Sequence, residues 1–248
     1  MLDLNMKQQL KGLLEQMPRS IQLQLTLDTR EESRLLRELA HELASLSDKV
    51  LLAAKMGTAQ RAPALEIISA DQETRITFAG VPTGHEFTSL VLALLHSGGH
   101  PLKLEAEVQA QIRNLPATYN FEIYVSLSCQ TCPDVVQALN MMAELNPAVR
   151  TVMIDGALFQ DEIARHNIMA VPTVFLNGKQ FSQGRISITD ILRKLDSNAD
   201  KLGAAALSSK KPFDILIVGG GPAGAALPSG THRSRRQGRE FLGRRARR

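Results

Sequence analysis

The chain has 248 residues, enough for one large domain or two small ones, and its 44% hydrophobic share is ordinary for a globular core. No run of 18 apolar residues occurs, which excludes a membrane-spanning helix, and the start Met1-Leu2-Asp3-Leu4-Asn5-Met6-Lys7 lacks the basic and apolar blocks of a secretory signal. The net charge of +4 would suggest a nucleic-acid partner, but the last 24 residues hold 8 Arg, 1 Glu and no Lys, leaving residues 1–224 mildly acidic at −3.

Residues 2–16 carry Leu2, Met6, Leu10, Leu13 and Leu14 at helical spacing, and Pro18 ends the run. Ile21-Gln22-Leu23-Gln24-Leu25-Thr26-Leu27 alternates strictly, as a strand with one buried face does. Asp28 with Glu31 reads as a capping box for a helix striped by Leu35, Leu36, Leu39, Leu43 and Leu46. A short strand over 50–54 follows, then a hairpin of 63–68 with 74–78, a loop over 80–84 and an apolar helix over 87–96. The same order then repeats: helix 103–114, strand 121–125, helix 135–145 and strand 149–154. An inserted short helix over 161–167 precedes a hairpin of 173–176 with 179–182 about Asn177-Gly178, and a last helix over 188–195. At an offset of 100, Leu23 and Leu25 fall on Ile123 and Val125, and Thr29 and Glu32 fall on the two cysteines. The first half therefore has the pattern without the sulfur.

Those cysteines, Cys129 and Cys132, are the only two in the chain. They stand where a strand gives way to a helix. The spacing admits two buried hydrophobes, half of a zinc site, or a reversible dithiol. Zinc needs further ligands, and His41, His85, His96, His100, His166 and His232 have no ligand spacing to the pair, so no metal is expected. A thiolate at a helix N-terminus is favoured by unpaired N–H groups and the helix dipole. Cys129, the more N-terminal and exposed, is read as the nucleophile, and Cys132 as the resolving thiol. A single CxxC pair fits a reducing cytoplasm better than a secreted disulfide scaffold.

Ala170-Val171-Pro172-Thr173 lies about 40 residues after the dithiol, directly before the hairpin. Strand, CxxC, helix, strand, helix, Val-Pro-Thr, hairpin and helix together resemble the thioredoxin fold. The resemblance implies a cis bond before Pro172 and a loop that faces the dithiol and offers backbone to a partner chain. Thioredoxins also place a carboxylate six residues before the first cysteine; here that position is Ile123. Glu86, from the first half, is the candidate substitute, and the alternative is a solvated charge at a helix start.

Residues 197–212 have the small, polar composition of a linker. An apolar strand then runs into Gly219-Gly220-Gly221-Pro222-Ala223-Gly224, which resembles a dinucleotide fingerprint through Gly219, Gly221 and Gly224. Two tandem thioredoxin-like α/β folds, only the second with CxxC, followed by a linker and this strand, resemble the N-terminal part of the flavoprotein component of alkyl hydroperoxide reductase. The expected division is 1–100 for the silent fold, 101–196 for the CxxC fold, 197–212 for the linker and 213–226 for the start of a Rossmann-type FAD domain.

The resemblance implies a dithiol–disulfide oxidoreductase that takes electrons from an NADH- and FAD-dependent flavin module and gives them to a peroxiredoxin. Family members dimerise through the flavin module. No ribose-binding acid or second strand follows the glycines, so these residues alone are expected to bind neither FAD nor NADH and to be monomeric. Residues 227–248 read as a foreign or frame-shifted tail, or as a disordered basic arm for nucleic acid. The competing function is a non-enzymatic peptide-binding module that uses the proline groove of the silent fold.

Overall fold

The computed structural model describes residues 3–56, 61–69 and 75–196. The turn expected about 70–73, the linker, the glycine motif with Gly219, Gly221 and Gly224, and the Arg-rich tail lie outside the described residues.

The first half runs α1 (Leu4–Glu15), β1 (Ile21–Leu27), α2 (Glu31–Ser45), β2 (Val50–Met56), β3 (Ala64–Ser69), β4 (Ile76–Ala79) and α3 (Glu86–Ser97). The second runs α4 (Ala106–Arg113), β5 (Tyr119–Val125), α5 (Cys132–Leu145), β6 (Val149–Asp155), α6 (Gln160–Arg165), β7 (Thr173–Leu176) and β8 (Lys179–Gln183). A last helix, α7, covers 188–196.

The eight strands form one sheet in the order β2-β1-β3-β4-β6-β5-β7-β8. In each half a helix crosses between parallel partners: α2 joins β1 to β2, and α5 joins β5 to β6. In each half the first strand also takes an antiparallel hairpin on its other side, β3–β4 or β7–β8. The halves meet through β4 and β6, parallel, with Ile76 opposite Thr151 and Phe78 opposite Met153. The repeat seen in sequence thus lies side by side in one sheet.

Alternation explains the layers. Ile21, Leu23, Leu25 and Leu27 are at most 1% exposed, whereas Gln22 and Gln24 between them are only half-buried. The apolar face lies under the large helices, with α3 packed on α5 across the joint between the halves. The opposite face is polar over much of its area. Its apolar part, Ala79, Tyr124, Ile154 and Phe175, is covered by Phe159, Ile163 and Ile168 around α6.

Several element ends differ from the sequence reading by one to three residues, and three helix starts show why. Asp28 does not cap α2: Arg30 occupies the N-cap, and the Asp28 carboxylate instead accepts the Arg30 N–H at 3.0 Å and the Ser33 hydroxyl at 2.6 Å. Extended backbone at Arg30 starts the helix two residues beyond the reach of a capping box. Helix α4 begins at Ala106 rather than 103, with Glu105 as its N-cap. Helix α5 begins at Cys132 rather than 135, because Pro133 at the first turn needs no N–H partner and has its φ preset for a helix.

Candidate dithiol site

Strand β5 ends at Val125, and the turn 126–131 carries the chain into α5. The Cys129 N–H donates to Ser126 O at 2.9 Å, which holds the turn against the strand. Cys129 and Cys132 form a disulfide with their Cα atoms 5.5 Å apart. Their surroundings differ. Cys129 is half-buried, while Cys132, the first residue of α5, is 0% exposed. The Cys132 N–H, one of the free donors of the first helical turn, points at Cys129 Sγ at 3.2 Å. Thr131 Oγ1 lies 3.7 Å from the same sulfur. A thiolate at Cys129 would therefore have a backbone donor and a hydroxyl already directed at it.

Val171-Pro172 is cis, and so is Ala62-Pro63, its counterpart in the first half. The two loops are not equivalent in access. Met169 is 89% exposed, Ala170 is exposed and Val171 is half-buried, leaving the loop before Pro172 open. That loop is held from within: Thr173 Oγ1 donates to Ala170 O at 2.6 Å, and the Gly184 N–H donates to Pro172 O at 2.8 Å.

In the first half the two described residues before Pro63, 61 and 62, are partly or wholly covered. Ala62 is buried, and Arg61 donates to both Glu162 oxygens (2.9 and 2.7 Å) and to Glu122 (2.6 Å), both in the second half. Tyr124 completes the cluster by donating its hydroxyl to Glu162 at 2.8 Å. Burial would raise the Glu162 carboxyl, but the hydrogen bonds from Arg61 and Tyr124 hold it below its ordinary range. Arg61, two residues before that proline, is thus committed to carboxylates of the second half. No sequence signal marks this cluster, because Glu122 and Glu162 lie 61 and 101 residues from Arg61.

Glu86, the first residue of α3, is 0% exposed, which excludes the solvated-charge reading. Its loop is locked onto the dithiol turn. The His85 N–H donates to Leu127 O at 3.1 Å, and a Cβ at Gly84 (φ +58°) would stand 2.5 Å from that oxygen, so only glycine fits there. Burial raises the Glu86 carboxyl to about 7, partly offset by the Ser89 hydroxyl. Neither carboxyl oxygen has a hydrogen-bond partner. Ser89 is itself buried and accepts a hydrogen bond from Gln137 Nε2 of α5 at 3.3 Å. Sequence reasoning misses Ser89 and Gln137; a serine inside the apolar run Phe87–His96 is the available signal.

Among the described residues no group of His, Cys, Asp and Glu could hold a metal ion, and no helix is long and apolar enough to cross a membrane.

A cysteine pair with one sulfur reachable and the other sealed suits reversible exchange, and the class is that of the thioredoxin-fold disulfide oxidoreductases. A thioredoxin-domain family model matches residues 119–197. The alkyl hydroperoxide reductase protein AhpF of Xanthomonas campestris pv. phaseoli is 52% identical over 226 residues, covering 91% of this chain and 43% of that protein. The Escherichia coli protein of the same name is 49% identical over the same extent. The N-terminal domain of AhpF from Enterococcus faecalis superposes with a TM-score of 0.73 at 33% identity, covering 79% of this chain and all of that domain. A protein disulfide oxidoreductase from Aeropyrum pernix shares the fold, with a TM-score of 0.70 at 18% identity, covering 81% of this chain and 96% of that one.

The chain belongs to the AhpF family of alkyl hydroperoxide reductase proteins and corresponds to its N-terminal, thioredoxin-like part. It spans less than half the length of the curated relatives it matches.

Proposed function

We propose that this chain is the dithiol relay of a peroxide-reducing system, carrying electrons from a flavin module to a peroxiredoxin in a reducing cytoplasm. The observation that carries the reading is the unequal exposure of the two sulfurs beside an open Pro172 loop. In the reduced state the Cys129 thiolate attacks a sulfur of the partner's disulfide. The partner's S–S bond breaks, one partner thiolate leaves, and a Cys129–partner mixed disulfide forms. Cys132 then loses its proton to the Glu86 carboxylate and attacks Cys129 Sγ. The Cys129–Cys132 bond forms, the mixed disulfide breaks, and the partner departs with two thiols. The extended backbone before Pro172 lies beside the partner segment during this exchange and aligns it by strand addition.

In this reading residues 1–100 are a fold that lost its cysteines and kept a structural task. It supplies Glu86 to the dithiol of 101–196 and Arg61 to the supports of its sheet. Residues 197–212 would link this pair to a flavin module beginning at 213–226, with 227–248 outside the family pattern. Such a module would supply the two electrons that reopen the disulfide, drawn from NADH through FAD and the module's own cysteine pair. Gly219, Gly221 and Gly224 would belong to that module rather than to the dithiol site.

The test is a single turnover. The chain is reduced chemically, freed of reductant, mixed with an oxidised peroxiredoxin, and both are alkylated. Two thiols should disappear from this chain as two appear on the partner. Tight association without thiol transfer would favour a non-enzymatic binding module and overturn the relay.

A further inference from the structure

The Glu86 carboxyl is fully buried, neither of its oxygens has a hydrogen-bond partner, and one buried hydroxyl stands three residues along the same helix. That hydroxyl belongs to Ser89, one turn along α3, and it is not free to point anywhere. Gln137 Nε2 donates to Ser89 Oγ at 3.3 Å, which uses an oxygen lone pair and leaves the hydroxyl hydrogen to be directed elsewhere. Ser89 is 0% exposed, so water does not compete for that hydrogen. Among the described residues the buried carboxyl left in need of a donor is that of Glu86. Gln137 sits on α5, the helix whose first residue is Cys132, so the chain Gln137–Ser89–Glu86 ties the carboxyl to the helix that carries the resolving sulfur.

We propose that Ser89, oriented by Gln137, is a positioning residue that presents its hydroxyl hydrogen to the Glu86 carboxylate and so sets how readily that group takes the proton of Cys132. This deepens the relay reading and rests on Glu86 being the proton acceptor. Charged groups do not share the task. The ionisable side chains of the packed elements α1, β3 and α5 are engaged elsewhere: Lys7 with Glu42, Glu66 with Gln24, Asp134 with Arg185, and Glu144 with Ser97. Lys11 and Glu15 of α1 are exposed, and burial rather than a neighbouring charge is what raises the Glu86 carboxyl.

The hydroxyl favours the ionised carboxylate, so its removal should make Glu86 hold its proton to higher pH and become a poorer acceptor near neutrality. The probe is DTNB. Attack by Cys129 releases one coloured thiolate, and resolution by Cys132 releases the second, so the second phase reports the step in question. In the intact protein that phase should rise through a midpoint near 7. Ser89→Ala should move the midpoint upward and slow the second phase at pH 7 about fivefold, the order expected for one hydrogen bond to a charged group. Ser89→Thr should restore the original profile. Gln137→Leu, which leaves the hydroxyl unoriented, should shift it in the same direction by less. On a Glu86→Gln background, which lacks the ionisation, Ser89→Ala should have no further effect.

If Glu86→Gln abolishes the midpoint but Ser89→Ala and Gln137→Leu leave it in place, the positioning role is refuted and the acceptor role stands. If Glu86→Gln leaves the midpoint unchanged, the acceptor reading itself falls, and this one with it.

Discussion

Replacing Glu86 with Gln should stabilise the protein at neutral and alkaline pH while impairing its chemistry. Burial raises the folded-state carboxyl from its ordinary 4.5 to about 7. Below pH 4.5 the acid is protonated in folded and unfolded chains alike and contributes no pH dependence. As pH rises from 4.5 towards 7, the unfolded chain ionises and the folded one does not, so stability is lost across that window and the loss is complete above it. The interval corresponds to about 3 kcal/mol, a substantial share of the stability of a domain.

Urea denaturation at a series of pH values checks this. The stability of Glu86→Gln relative to the parent should grow steadily from about pH 5 to 8 and then level off. His96 produces the opposite slope: burial and then His100 lower it from 6.5 to about 4, so both proteins should lose stability together as pH falls through that range. A Glu86→Gln difference that does not vary between about pH 5 and 8 would show that the carboxyl is not buried in ionisable form and would refute the reasoning.

Arg61→Ala should destabilise by about 3–5 kcal/mol in chemical denaturation, because it strands the Glu162 and Glu122 carboxylates in a partly buried cluster. Glu162 is held below its ordinary range, so the support it gives is present above pH 4.5 and lost as pH falls further. Arg61→Ala should raise the pH of acid unfolding. Gly84→Ala should lower stability by about 1–3 kcal/mol, since it puts a Cβ 2.5 Å from Leu127 O at positive φ, and thermal denaturation would register the loss. The same substitution should also slow the first phase with DTNB, because Leu127 belongs to the turn that positions Cys129.

The strands were legible because one face of the sheet is covered and the other is polar. Ile21 to Leu27 alternates with a period of two, and burial follows that pattern except at Thr26, which is buried with its neighbours. The doubled architecture was legible because both copies repeat the same order of elements. The start of α5 was misplaced because apolar periodicity begins at Val135, whereas Pro133 and the buried Cys132 already belong to the first turn. Asp28 misled because a local acceptor can close a turn as well as cap a helix, and the competing donors Arg30 and Ser33 decided which.

The joint between the halves had no local signature. Arg61 meets Glu162 across 101 residues, and nothing near either residue announces the pairing. Glu86 could be named as a candidate from family pattern, but its burial, its contact through Gly84 and His85 with the dithiol turn, and the Ser89–Gln137 support are properties of the packed joint alone.

The central claim is that Cys129 attacks and Cys132 resolves. Intact-mass analysis of Cys132→Ser and Cys129→Ser variants, each mixed with an oxidised peroxiredoxin, tests it most directly. The account predicts that Cys132→Ser accumulates a one-to-one mixed disulfide through Cys129, reversed by reductant, and that Cys129→Ser, whose remaining thiol is sealed, accumulates none. A covalent adduct on Cys129→Ser but not on Cys132→Ser, or none on either, would contradict it.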